Sequence, residues 1–414
     1  MVVTARYLGP AGKGILSLSA LLVGIAFLFA DVGLTKSLTY HVSKGEMDEP
    51  TALAVSAYGA ALLGGAVIAV ALLLEPWLRQ VLFEGMSHRV YTVSLASLPG
   101  AVFIQFWITV KTARRRFAVA AAFQFGQSVL ALGVAVAVLA VIGGDIETLV
   151  TGNTVVVLSL ATGVLVVSIV RQGFTARTPG SLILRILKYG VAAYGGSLSN
   201  YALLRVDMLV LNAVFGNAAV GQYSVAVSMT ESLWHIDNAM GRAVMPDVVS
   251  SKQTDAATLV AASGRMMVLV GGSLAIGIFL AAPWLVQWLF GPAFVESVAA
   301  LRVLLPGAIC LSVARLVLQY HQGNLGRPGQ ASLVLAGSAA SGLALYLLLV
   351  PQFGIVGAAS ASSIVYAATL IVALVMFRRE ADISPWRVVV PCREDVERLL
   401  QLAKALLRAG GRHT

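Results

Sequence analysis

Charged and amide side chains recur on one face of a strongly apolar segment. Glu231, His235, Asn238 and Arg242 are spaced 4, 3 and 4 residues apart, so at about 100° per residue they share a helix face. A charge near the centre of a bilayer costs at least about 2.5–3.5 kcal/mol. Four such groups in register predict a helix that faces a water-filled cavity. The alternative is a set of interhelical hydrogen bonds.

Arginines in other apolar segments indicate what the cavity would bind. Tyr201 and Arg205 are four residues apart and share a second helix face, and Arg315 begins a third. The planar guanidinium binds phosphate through two parallel hydrogen bonds. A wet cavity with Arg205, Arg242 and Arg315 therefore predicts an anionic ligand such as a phosphate or diphosphate.

The sequence contains no recognisable arrangement of catalytic or metal-binding residues. His235 has no serine or cysteine nucleophile at a credible spacing, and no glycine-rich phosphate loop follows a strand. The two cysteines, Cys310 and Cys392, are too few and too differently placed for a disulfide framework or a zinc site. We therefore expect a protein that is not an enzyme and that needs neither a metal nor a cofactor.

The composition is that of an all-α polytopic membrane protein. The chain is 58% hydrophobic and 12% charged, against roughly 25% charged for soluble domains. The net charge of +10 does not indicate nucleic acid, because the basic residues cluster in short links and in the tail. A spanning helix needs about 20 mostly apolar residues, and eleven segments qualify: roughly 14–40, 51–74, 90–110, 117–142, 148–170, 188–213, 219–242, 264–290, 298–322, 329–350 and 354–377.

An internal repeat relates the two halves of the chain at a constant offset of 207 residues. The segment 76–83 returns as 283–290, and 98–101 returns as 305–308. Gly9, Gly14 and Ser17 return as Gly216, Gly221 and Ser224. Parallel repeats of membrane-spanning helices are a known transporter plan. Because Asn238 corresponds to Asp31, the repeat also places Asp31 on the equivalent face of the first copy.

The repeat predicts how the chain divides. The helix at 188–213 opens the second copy, and its counterpart in the first copy would precede residue 6. We therefore expect two pseudo-symmetric six-helix lobes, with about 11 transmembrane helices in this chain. The first helix of the N-lobe would be missing, through a truncation or a misassigned start. The expected boundaries are 1–175 for the N-lobe with helices 2–6, 176–378 for the C-lobe with helices 7–12, and 379–414 for a basic amphipathic tail.

Basic residues in the links predict the orientation. On one side lie Lys44, Lys111, Arg114, Arg115, Arg116, Arg171, Arg177, Arg185, Lys188, Lys252, Arg327 and the basic tail. On the other side lie Arg6, Lys13, Arg79 and Arg89. Loops rich in lysine and arginine stay in the cytoplasm. The first side and the tail are therefore predicted to be cytoplasmic, in a multi-pass protein of the cytoplasmic (inner) membrane.

Several motifs resemble a known family. Ala5-Arg6-Tyr7-Leu8-Gly9-Pro10 resembles the loop after the first helix of bacterial and archaeal polysaccharide-type lipid flippases. These include the O-antigen flippases of the multidrug/oligosaccharidyl-lipid/polysaccharide exporter superfamily. Arg205-Val206-Asp207, followed by Val220-Gly221-Gln222-Tyr223-Ser224-Val225-Ala226, resembles the opening of that family's second lobe, and Phe353-Gly354-Ile355-Val356-Gly357-Ala358-Ala359 resembles its last loop and helix.

The resemblance implies two six-helix lobes around a central cationic cavity. Such proteins move polyprenyl-diphosphate-linked oligosaccharides across the cytoplasmic membrane by alternating access, coupled in some members to a gradient of H⁺ or Na⁺. The implied partners are the lipid-linked oligosaccharide, membrane lipids and glycan polymerase or assembly proteins. The role of cavity arginine carries over to Arg205 and Arg242. The remaining cavity residues would contact sugar or carry a coupling ion: Glu231, His235, Asn238 and Asp31.

Three other classes of protein stay open. A cation-coupled multidrug exporter of the same fold would prefer an acidic site for organic cations, whereas this cavity is slightly basic. A major-facilitator transporter would carry a Gly-x-x-x-Asp-Arg signature, which the loop at 41–50 lacks. A membrane glycosyltransferase or glycan polymerase generally needs a sizeable outer loop, and the predicted outer loops are short.

Overall fold

Helices make up the regular structure of the described residues. The computed structural model describes residues 1–173, 180–381, 383–393, 395 and 397, with the backbone alone at 172, 180–183, 192–193, 236–238 and 242–243. The helices are α1 (Val2–Asp31), α2 (Leu34–Ser43), α3 (Glu49–Leu73), α4 (Glu75–Val81), α5 (His88–Ala96), α6 (Leu98–Ala113), α7 (Phe117–Val136, continued by a π-helix at Ala137–Ile142), α8 (Ile146–Gln172), α9 (Gly180–Ser250), α10 (Gln253–Phe290), α11 (Ser297–Gly323), α12 (Pro328–Ala381) and α13 (Trp386–Val389).

The long helices confirm an all-α polytopic membrane protein. In the described ranges, nine helical stretches are long and apolar enough to cross a membrane. Two of them are long enough for two crossings of roughly 20 residues each, because the stretch Tyr194–Gly241 of α9 has 48 residues and α12 has 54. Each contains a glycine with non-helical backbone, Gly216 at φ 73° and Gly354 at φ 56°. Divided at these glycines, the stretches supply eleven segments of spanning length.

The two halves of α12 form an antiparallel hairpin. Ser338 Oγ lies 2.7 Å from Thr369 Oγ1, and Tyr346 Oη lies 3.1 Å from Ser362 Oγ. Both pairs are centred on Gly354, so the chain reverses direction there. The buried hydroxyl groups satisfy one another, which removes the cost of burying them unpaired.

The repeat is visible in the backbone. Gly9 breaks α1 with φ 65° and ψ −175°, and Gly216, 207 residues later, breaks α9 with φ 73° and ψ −173°. This left-handed region favours glycine, which has no Cβ to clash with the neighbouring backbone. The same conformation at equivalent positions confirms the register that the sequence predicts.

Two equivalent glycines allow the copies of the repeat to touch, backbone to backbone. A Cβ added to Gly14 would overlap the carbonyl oxygen of Asn217, and one added to Gly221 would overlap the carbonyl oxygen of Pro10. Pro10 and Asn217 are themselves 207 residues apart, so the contact is the same from both sides, as in an isologous interface. Small residues at such a crossing let helix backbones approach closely in a membrane.

The residues form two compact units, Met1–Gln222 and a second unit that begins at Tyr223. The boundary lies inside α9, so the first unit contains the first repeat copy together with the segment 180–222. This segment packs along α1 and α2, where Tyr201 reaches Gly24 and Tyr189 stacks on Tyr40. It also contacts the chain just after α4, where Asn212 Nδ2 donates a hydrogen bond of 3.1 Å to Leu82 O. The lobe boundary at 175–176, which marks the start of the second copy, stays a prediction.

In the second unit, the segment after α12 docks on α10. The Arg265 guanidinium donates hydrogen bonds of 2.6 and 3.3 Å to the Asp395 carboxylate and one of 2.7 Å to Arg387 O. These bonds hold the pKa of Asp395 well below its usual range. A Cβ at Gly264 would lie 2.7 Å from Val388 O. Residues 398–414, most of the predicted tail helix, lie outside the described residues.

Replacement of Gly14 by alanine tests the contact between the copies. The added methyl group needs the two helices to separate, so Gly14→Ala should destabilise the protein by about 1–3 kcal/mol. Gly126→Ala in α7 is the matched control, because nothing lies within 4 Å of a Cβ there. The thermal unfolding midpoint of the detergent-solubilised protein measures both effects. Equal midpoints for the Gly14→Ala variant and the wild type would contradict the close contact.

Candidate functional site

In the first unit, the predicted residues Tyr201 and Arg205 lie on the segment that packs against α1. Tyr201 donates a long hydrogen bond of 3.4 Å from its hydroxyl group to Leu21 O, and a Cβ at Gly24 would overlap that hydroxyl group. Arg205 is one helical turn further on, is half-buried and shares the face of Tyr201. Because glycine has no side chain at position 24, the Tyr201 ring can pack against α1 there. Arg205, one turn further on the same face, is then expected beside α1.

Lys13 is a buried basic residue that sequence reasoning placed in a loop. It lies inside α1, its side chain is 7% exposed, and its amine donates a hydrogen bond of 3.3 Å to Ser17 Oγ. Lys13, Ser17 and Gly24 are spaced 4 and 7 residues apart, which puts them on one helix face. The face of α1 that receives Tyr201 thus also carries a lysine. This spacing would have revealed Lys13 if the first helix had been predicted to begin before residue 14.

Asp31 has a local structural role. α1 ends where Val32 and Gly33 adopt φ 41° and 78°. The Asp31 carboxylate accepts hydrogen bonds of 3.2 Å from Gly33 N, 2.9 Å from Thr35 N and 2.6 Å from Thr35 Oγ1. The predicted span at 14–40 was therefore wrong in its boundaries: the chain turns at residue 32, and the Asp31 carboxylate caps the start of α2.

In the second unit, Arg315 of α11 lies over Trp234 of α9. The Arg315 guanidinium lies 4.6 Å from the ring centroid of Trp234, and the Trp234 indole donates a hydrogen bond of 3.4 Å to Ala308 O. Such stacking fixes the plane of a guanidinium. Trp234 lies between Glu231, which is half-buried, and His235, which is exposed. Nothing in the local sequence pattern had singled out Trp234.

Two predicted site residues have no described side chain. The side chains of Asn238 and Arg242 lie outside the described residues, so their place on the polar face stays a prediction. Among the residues whose side chains are described, no group of three or more His, Cys, Asp or Glu could hold a metal ion. The described polar groups can provide basic contacts for an anion, Lys13 and Arg205 in the first unit and Arg315 in the second.

Two substitutions of Asp31 separate its capping role from its charge. Asp31→Ala removes the acceptor for three hydrogen bonds and should cost about 1–2 kcal/mol, as for other lost caps. Asp31→Asn keeps an oxygen acceptor without the charge and should cost much less. Thermal unfolding of the purified variants measures the difference. If Asp31→Asn and Asp31→Ala destabilise the protein equally, the carboxylate stabilises the fold through its charge and not as a hydrogen-bond acceptor, and the capping role is refuted.

The fold is similar to those of solved membrane transporters. The inward-facing conformation of a multidrug resistance MATE family transporter of the MOP superfamily matches with a TM-score of 0.77 at 14% identity, over 92% of each chain. The lipid II flippase MurJ, in its inward closed conformation, matches with a TM-score of 0.70 at 12% identity, over 91% of this chain and 84% of that chain. The Vibrio cholerae MATE transporter VcmN in its bent form matches with a TM-score of 0.62 at 15% identity, over 94% and 93% of the two chains.

The sequence itself identifies the family. No curated protein matches it. Residues 3–299, well over half of the chain, match the family described as polysaccharide biosynthesis protein. This match agrees with the flippase-like motifs of the sequence, and the structural similarities agree with the fold that those motifs imply. The chain therefore belongs to the polysaccharide biosynthesis protein family and has the fold of the MOP superfamily.

Proposed function

We propose that the protein is a flippase that carries a polyprenyl-(di)phosphate-linked oligosaccharide across the cytoplasmic membrane for cell-surface polysaccharide synthesis. The family match carries this proposal. The described residues of this polysaccharide biosynthesis protein consist almost wholly of helices of membrane-spanning length joined by short links. Such a chain suits the step in which a finished lipid-linked glycan crosses the bilayer. A relative in fold, MurJ, is named a lipid II flippase.

Basic side chains within the spanning helices suit the anionic head of this substrate. Lys13 is almost fully buried in α1, and Arg205 is half-buried on the segment that packs against it. A buried cation is costly unless it has a functional or structural partner. In the first unit we assign Lys13 and Arg205 to the (di)phosphate. In the second unit, taken by itself, we assign Arg242 and Arg315 to anionic groups of the substrate. Glu231, His235 and Asn238 would contact sugar or a coupling ion, while the prenyl chain stays in the lipid.

The contacts of segment 180–215 suggest where alternating access would open the protein. At one end, the rings of Tyr40 and Tyr189 stack with centroids 4.5 Å apart, and Arg185 donates a hydrogen bond of 2.9 Å to Glu46. At the other end, Asn212 binds the carbonyl oxygen of Leu82. Alternating access needs the two ends to open in turn. The first end carries most of the basic link residues, so we assign it, and the tail, to the cytoplasm.

A multidrug exporter is the second candidate, and the fold match to the MATE transporters favours it. Binding of organic cations calls for buried acids. In the described part of the first unit, Asp207 is buried, but the Asp31 carboxylate is engaged in a helix cap, Glu75 pairs with Arg79, and Lys13 adds a buried positive charge. Export of cationic dyes without a glycan defect in a deletion strain would support this second candidate instead.

Replacement of Arg205 by glutamine tests the anion-binding role. Loss of a charge-assisted hydrogen bond worth about 1.5–3 kcal/mol should lower glycan export about tenfold or more. Arg302→Gln is the matched control, because Arg302 stacks on Phe279 with 5.0 Å to the ring centroid and donates to its carbonyl oxygen at 3.1 Å. Surface polysaccharide is measured at equal membrane levels of each variant. Wild-type export by the Arg205→Gln variant would refute the assigned role.

A cross-link tests whether the Tyr40 end must open. In a background with Cys310 and Cys392 replaced by serine, Tyr40→Cys and Tyr189→Cys are joined with a short bis-methanethiosulfonate reagent, which forms a reducible disulfide with each cysteine and releases methanesulfinate. Export should stop and should return after reduction, because segment 180–215 can no longer leave α2. The control cross-link joins Ser338→Cys to Thr369→Cys inside the α12 hairpin and should leave export intact. Undiminished export with complete Tyr40–Tyr189 cross-linking would contradict alternating opening at this end.

A further inference from the structure

Three consecutive arginines, Arg114, Arg115 and Arg116, form the turn between α6 and α7, here named the arginine turn. The turn is a Schellman motif: Arg116 N donates to Lys111 O and Arg115 N donates to Thr112 O, both at 2.9 Å. The residue in the left-handed position of such a motif is usually glycine. Here it is Arg115, with φ 58°. A residue with a side chain is disfavoured in this conformation, so the choice of arginine needs an explanation.

The two outer arginines are held by the protein. Arg114 donates a hydrogen bond of 2.9 Å to Met47 O, and Arg116 lies 3.4 Å from the Glu49 carboxylate. Glu49 also pairs with Lys111, which is buried. These contacts fix the turn against the start of α3 and engage the Glu49 carboxylate. They explain why the turn is ordered without any contribution from Arg115.

Arg115, the middle arginine, is exposed and, within the described part of the chain, lacks contacts of the kind that hold Arg114 and Arg116. Among the described residues, no hydrogen bond or ion pair holds the Arg115 guanidinium, and the side chain is exposed. Cations at a helix C-terminus do stabilise the helix dipole, and basic links do orient a membrane protein. Both effects would be obtained equally from Arg114 and Arg116 with glycine between them. Neither effect explains a side chain in the strained position.

The arginine turn lies where a lipid head group would be. α7 begins directly after it and exposes large apolar side chains along its length, with Phe117 at 60% and Phe125 at 72% exposure. Such a surface belongs in the hydrocarbon layer of a bilayer. Residues immediately before such a surface are expected at the depth of the phosphate groups. A guanidinium presented there on a fixed turn can bind one phosphate through two hydrogen bonds.

We propose that the arginine turn is a binding site for the head group of an anionic phospholipid, in which the Arg115 guanidinium donates hydrogen bonds to the phosphate. The backbone strain at Arg115 is retained because it directs this side chain towards the membrane surface. Arg114 and Arg116 position the turn and add positive charge around the site. This site is separate from the polar residues that we assign to the transported substrate.

The test uses the purified full chain with phosphatidylglycerol or with phosphatidylethanolamine, and native mass spectrometry counts the bound lipid. The wild type should retain phosphatidylglycerol in preference to phosphatidylethanolamine. Arg115→Gly should weaken phosphatidylglycerol binding about fivefold, the factor expected for one arginine at an anionic lipid surface. It should unfold at the same temperature as the wild type or higher, because glycine relieves the strain. Arg115→Gln serves if the glycine variant does not fold.

The matched control is Arg378→Gln, since Arg378 is an exposed basic residue near the end of α12 in ordinary helical backbone. It should bind phosphatidylglycerol as the wild type does. Three results would each overturn the proposal: equal binding by wild type and both Arg115 variants, an equal loss in the Arg378→Gln variant, or no preference of the wild type for phosphatidylglycerol. A lower unfolding temperature for Arg115→Gly with unchanged lipid binding would instead assign Arg115 to the fold.

Discussion

The close approach of the two repeat copies at Gly14 and Gly221 is the contact on which the arrangement of the first unit depends. Each glycine faces a carbonyl oxygen that belongs to the helix start of the other copy, Asn217 O for Gly14 and Pro10 O for Gly221. These helix starts exist because Gly9 and Gly216 break the preceding helix in the same left-handed conformation. With the backbones in contact there, segment 180–215 lies along α1, and Tyr201 reaches Gly24. Two small residues per copy thus determine which polar side chains come together.

Polar groups inside the spanning helices fall into two kinds. Some are satisfied locally and stabilise the fold, such as the Asp31 cap and the paired hydroxyl groups of Ser338 and Thr369. Others are basic groups whose burial is costly, above all Lys13, which is 7% exposed and bonded to the neutral Ser17 hydroxyl. The cost of a charge in a bilayer is several times the value of such a neutral hydrogen bond. This imbalance is the physical reason for expecting an anionic ligand in this part of the protein.

Much of the fold could be predicted from the sequence, because apolar length and a constant repeat offset are local signals. The apolar length of the last stretch predicted a turn near Gly354, and the repeat offset paired Gly9 with Gly216. The candidate site was harder to predict. Asp31 was assigned to the cavity because the repeat pairs it with Asn238. Its carboxylate also caps α2 after the turn at Val32 and Gly33, which the repeat could not reveal, and its role in the cavity stays a prediction. Lys13 was missed because the first helix was started one residue too late to include it. The stacking of Arg315 on Trp234 joins positions 81 residues apart, and spacing within one helix cannot reveal such a contact.

The account is tested most directly by reconstitution of the purified protein in liposomes that contain a fluorescent polyprenyl-diphosphate oligosaccharide. A membrane-impermeant enzyme that modifies the sugar reports how much of the lipid has reached the outer leaflet. The account predicts that the protein makes the whole pool accessible, whereas in protein-free liposomes about half stays protected. Continued protection of the inner pool in the presence of the protein, together with uptake of an organic cation by the same liposomes, would contradict it.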